Sequence, residues 1–105
     1  MTPLRIAVES GDLEMVKLLL ENGALPQHPE DKAPPFLYAM ANGNNAIARM
    51  LIENGTDLKR RYALGSREGT VGDMAVLARS KELVELIRSR GGVFILDAEQ
   101  ENQLK

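Results

Sequence analysis

Apolar residues return at steps of three and four over Leu13, Val16 and Leu19–Leu20, with charged residues between them. That spacing puts one apolar face on a helix. Just upstream, Thr2 can cap a helix start by accepting a bond from a free backbone N–H. Pro3 then fits the first helical position, where its missing donor costs nothing. Gly11, Gly23, Gly43 and Gly55 each follow a helical run, where a left-handed residue ends a helix cheaply.

The pattern recurs. One segment runs from Thr2-Pro3-Leu4 through Ala7, Gly11, Val16 and Leu18-Leu19 to Gly23. A second runs from Pro34-Pro35-Phe36 through Ala39, Gly43, Ala48 and Met50-Leu51 to Gly55. A third runs from Thr70 through Ala75, Arg79, Val84 and Leu86-Ile87 to Gly91. The internal offsets are identical, and the units begin 32 and then 36 residues apart. A period of that size indicates stacked structural repeats. Each unit is predicted as a helix of about two turns, a tight turn, a second helix and a connection. Helices so short are marginal alone in water, so stability must come from burying one unit's face on the next.

The residues resemble the ankyrin repeat: a Thr-Pro-Leu opening, an Ala in the first helix, a Gly between helices, Val-x-x-Leu-Leu and a closing Gly-Ala. The first unit matches best, with Arg5 where the family often has His. The second has Pro34 and Leu37 at the Thr and His positions. The third opens on Thr70-Val71-Gly72-Asp73 and carries Arg79 in place of the interhelix Gly. The resemblance covers residues 2–92. It implies an all-α solenoid of three helix-turn-helix units, about 2–33, 34–69 and 70–92, joined by hairpin-like loops. Residues 93–105 remain as a cap or tail.

Composition sets bounds. A chain of 105 residues is one domain with a modest core. It has no Cys, hence neither disulfides nor thiol chemistry. No apolar run is long enough for a membrane helix, and no signal-peptide pattern opens the chain, so a cytoplasmic location is expected. With no Trp and four Tyr or Phe, a nucleic-acid stacking surface is not indicated. His28 is the only His, which argues against a zinc site. No Gly-x-Ser-x-Gly and no phosphate-cradling Gly-Lys-Ser/Thr sequence occurs. The adjacent carboxylates Glu30-Asp31 read as solvated loop charge, and Met40, Met50 and Met74 as core filler. No catalytic residue, metal or cofactor is assigned, and the chain is expected not to be an enzyme.

Charge is uneven within a net of −2. Residues 1–55 carry four Lys or Arg against seven Asp or Glu, residues 56–92 eight against five, and 93–105 one against three. Two readings stay open: chance variation on solvated faces, or a basic second half that steers an acidic partner. The connections differ too, eleven residues from Gly23 to Pro34 and fifteen from Gly55 to Thr70. The longer holds Lys59-Arg60-Arg61-Tyr62 and Arg67, and is expected to project with Arg61, Tyr62 and Arg67 in solvent. It is either an interface anchor or a tolerated insertion.

The resemblance implies noncovalent binding of another protein through hairpin tips and the concave ends of the first helices. Carried onto this chain, those ends are Glu9 and Ser10, Ala41 and Asn42, and Leu77 and Ala78. The loop candidates are Asp31 and Lys32, then Arg61, Tyr62, Arg67 and Glu68. Short length suits a small inhibitor or immunity-type protein that blocks a toxin or enzyme. The abrupt start suits a fragment of a larger scaffold. A monomer or weak oligomer is expected. At the ends, the first helix could leave Leu4, Ile6 or Val8 facing outward. Val93–Leu96 either folds back as a lid on the third unit or forms a hook for a partner.

Overall fold

The structure, a computed structural model, describes residues 2–29 and 31–95. Glu30, Leu96 and the polar tail 97–105 lie outside the described residues. The chain divides into two compact units, the first ending at Asp57 and the second beginning at Leu58.

The first unit holds two helix pairs. These are α1 (Pro3–Ser10) with α2 (Leu13–Glu21), and α3 (Pro35–Ala41) with α4 (Asn45–Glu53). Their limits come from local chemistry. Thr2 accepts from the Arg5 N–H at 3.1 Å, and Pro3 takes the first turn. Gly11 then turns left-handed at φ 74°, and the N–H of Asp12 reaches the Ala7 carbonyl at 3.0 Å. That closure satisfies carbonyls the helix end would otherwise leave open. Asp12 at once caps α2, accepting from the Met15 N–H at 3.1 Å, and Asn44 does the same for α4 toward Ile47. Only two residues therefore lie between α1 and α2 and three between α3 and α4, which forces the two helices of a pair to run back along each other.

Burial follows the repeat register. Leu4, Val8, Val16, Phe36, Ala39, Ile47, Ala48, Leu51 and Ile52 are all buried. Helix α1 packs on α3 and α2 on α4, so in this unit pair is stacked on pair. Two expectations need correction. Leu4 and Val8 do not face outward; of the three candidates only Ile6 does, at 51% exposure. Leu13 is 38% exposed, because it is the first residue of α2, beside the turn rather than over the core. Of the three methionines read as core filler, Met74 is buried and Met40 and Met50 are half-buried.

The second unit contains helices α5 (Val71–Leu77) and α6 (Lys81–Ser89), which pack together, and a feature that departs from the all-α expectation. The long connection forms an antiparallel hairpin of β1 (Tyr62–Leu64) and β2 (Arg67–Gly69). Its register pairs Tyr62 with Gly69, Ala63 with Glu68 and Leu64 with Arg67. A two-residue turn, Gly65-Ser66, joins the strands, with Gly65 at φ 68° in its first central position. A left-handed Gly there matches the right-handed twist of paired strands. The structure is thus mostly helical, six helices among the described residues with one small hairpin.

Candidate functional site

In the first unit, α1 and α3 end side by side. The Asn42 Nδ2 donates to the Glu9 carbonyl oxygen at 3.0 Å. That bond joins the two helix ends into one exposed row of Glu9, Ser10, Ala41 and Asn42. The four are together because each follows its helix's last buried turn and precedes a left-handed Gly.

Next to α1 and α3 lies a cleft of about 400 Å³ lined by Thr2, Arg5, Asp31, Lys32 and Tyr38 among others. Arg5 crosses it, its guanidinium 4.5 Å from the centre of the Tyr38 ring and its Nε 3.2 Å from Glu9 Oε1. The loop wall is set by a turn in which the Asp31 carboxylate accepts the His28 N–H at 2.8 Å and the Asp31 N–H reaches the His28 carbonyl at 3.1 Å. Asp31 is half-buried in that turn and Lys32 is exposed. Arg5 and Tyr38 line this cleft and are not among the contact residues that the sequence pattern singles out. The available signal is Arg5 itself, the one departure in an otherwise close first unit. Its partner across the cleft depends on pairing of α1 with α3.

In the second unit, Arg61, Arg67 and Glu68 are exposed on the hairpin, with Arg61 Nη1 4.0 Å from Glu68 Oε2. A pair so open to solvent contributes little to stability. Tyr62 corrects the expectation of a solvent-facing ring: it is only 4% exposed. Strand alternation is the reason. Tyr62 and Ala63 must point to opposite faces, so the pairing that exposes Ala63 turns Tyr62 inward. The Arg60 guanidinium lies over the buried ring, 4.8 Å from its centre. At the end of α5, Leu77 is 57% exposed with Ala78 exposed beside it.

Among the described residues no three His, Cys, Asp or Glu side chains gather in a way that could hold a metal ion. Among them, too, no helix is long and apolar enough to cross a membrane.

Paired antiparallel helices, closed by left-handed turns and stacked so that their ends form an exposed row, define a helical repeat protein. A family model described as ankyrin repeats, in three copies, matches residues 1–62, and the chain belongs to the ankyrin repeat family. Ankyrin repeats are generally protein–protein interaction modules and typically not catalytic. No curated protein matches the chain.

Proposed function

We propose that the protein binds a partner protein noncovalently and performs no chemistry on it. In the first unit the docking surface is the row Glu9, Ser10, Ala41 and Asn42 together with the adjoining cleft of Arg5, Lys32 and Tyr38. The observation that carries this reading is the Asn42–Glu9 bond, which holds two helix ends as one continuous exposed surface. A preorganised polar row limits the ordering penalty of binding, and a Tyr ring with an Arg on its face is a common interface anchor.

In the second unit the contacting groups are Arg61, Arg67 and Glu68 on the hairpin and Leu77 and Ala78 at the end of α5. Between Leu58 and Thr70 there are four Lys or Arg and one Glu, which favours an acidic partner surface on that side. Tyr62 supports the hairpin from beneath and does not touch the partner.

The test is a comparison of two immobilised chains, the parent and a Glu9→Arg/Asn42→Arg variant with an unchanged melting curve. A protein retained stoichiometrically by the parent and lost from the variant supports the reading. A partner held equally by both places the contact elsewhere, and turnover of a captured protein by the chain overturns the noncatalytic reading.

A further inference from the structure

In the three-unit register Gly72 stands where the first two units have Leu4 and Phe36, and Arg88 stands where they have Leu20 and Ile52. All four of those apolar residues are buried. The third helix pair therefore lacks two core side chains on one side. Phe94 lies at both gaps. A Cβ on Gly72 would fall 2.9 Å from its ring, closer than real contacts allow, so ring and helix backbone are in direct contact. The Arg88 guanidinium covers the ring, 4.7 Å from its centre.

The residues around Phe94 are tied down through the backbone. The Val93 N–H donates to the Leu58 carbonyl at 3.3 Å, and the Val93 carbonyl accepts from the Thr70 hydroxyl. Leu58 lies four residues before β1 and Thr70 directly follows β2, so one residue bonds the chain on both sides of the hairpin. The Ile95 N–H donates to Asp73 Oδ2 at 3.2 Å, and the same oxygen accepts the Thr70 N–H at 2.8 Å. Thr70 and Asp73 are both fully buried, so this junction is shielded from competing water.

We propose that Val93–Ile95 is a strap that completes the third helix pair with a borrowed side chain, Phe94, and clasps the base of the hairpin. The strap makes hairpin geometry depend on the chain segment that follows α6. Anything that pulls Phe94 from its slot frees Leu58 and Thr70 together, and so loosens the loop that carries Arg61 and Arg67. The clasp acts on the hairpin whether or not the hairpin meets a partner.

The experiment uses the full chain in three forms: parent, Phe94→Ala and Gly72→Leu/Phe94→Ala. The single variant should melt lower by about 5 °C or more, since a packed aromatic is lost from a small domain. The double variant should recover about half of that loss or more, because the introduced leucine side chain would refill the slot from the helix itself, as Leu4 does in the first unit. In amide exchange by nuclear magnetic resonance, the Val93 and Ile95 amides and those of the paired β1–β2 residues should quicken together in the single variant by at least about tenfold, while those of α1–α4 keep their rates. A double variant no more stable than the single one overturns the borrowed side chain. Hairpin amides that stay protected while Val93 and Ile95 exchange freely overturn the clasp.

Discussion

Arg79 holds φ 58° where Gly43, at the same point of the preceding repeat, holds 68°. The two residues do the same work, turning the chain between the helices of a pair, but Arg79 does it with a Cβ. A left-handed backbone strains a side-chain-bearing residue by about 1–2 kcal/mol. Arg79→Gly should relieve that strain, offset in part by the freer unfolded chain, for a net gain of up to about 1 kcal/mol. Gly43→Ala should do the reverse and lose about 1 kcal/mol, although nothing lies within 4 Å of the added Cβ. Thermal melts of the two variants should move in opposite directions.

Val16 and Leu51 are fully buried at stacked positions of the first unit. Truncating either to Ala removes apolar area and leaves a cavity, at a cost of roughly 1–5 kcal/mol, with Leu51 the larger. Circular-dichroism melting checks the register directly: an unchanged curve for either variant would contradict it.

Tyr62→Ala should destabilise the second unit by about 3 kcal/mol or more, as for other buried aromatics, before any effect on a partner is seen. Arg61→Glu/Arg67→Glu should leave stability within about ±0.5 kcal/mol, because both side chains are exposed. Chemical denaturation of the two variants distinguishes support from contact. Equal stability in both would mean that Tyr62 is not a core residue.

With a partner in hand, the same Arg61→Glu/Arg67→Glu variant should bind more slowly, and its association rate should depend less on salt. Surface plasmon resonance at two ionic strengths reads this. Rates unchanged at both would remove the hairpin charges from recognition and leave the Glu9–Asn42 row.

Gly69 is buried, and a Cβ there would come 2.5 Å from the Leu64 side chain and 3.2 Å from Asp73 Cβ. The Leu64 tip can move aside, but Asp73 is fully buried and bonded in place, so Gly69→Ala should open the hairpin at the Tyr62–Gly69 pair. Loss of cross-strand nuclear Overhauser contacts between Ala63 and Glu68 would report it, and their survival would show that Asp73 yields as well.

Much of the helical framework is legible in the chain. Thr2, Pro3, Gly11, Gly23, Gly43 and Gly55 act within a few residues of themselves, so their capping roles need no tertiary information. The hairpin has a local signal as well, since Gly65-Ser66 is a two-residue turn pair. That signal goes unread when the stretch is scanned for a helical period, because three-residue strands are too short to show an alternation.

The chain's own residues determined the repeat period, the helix limits and the left-handed turn at Arg79, since each depends on backbone sterics and hydrogen bonds between near neighbours. Tertiary structure decided what distant residues do to one another. It buried Tyr62, joined Asn42 to Glu9, set Arg5 on Tyr38 and put Phe94 over Gly72. The last three of those contacts span from 22 to 33 residues. A contact of that range is chosen by which faces pack and in what register, and no window of sequence a few residues wide contains that choice.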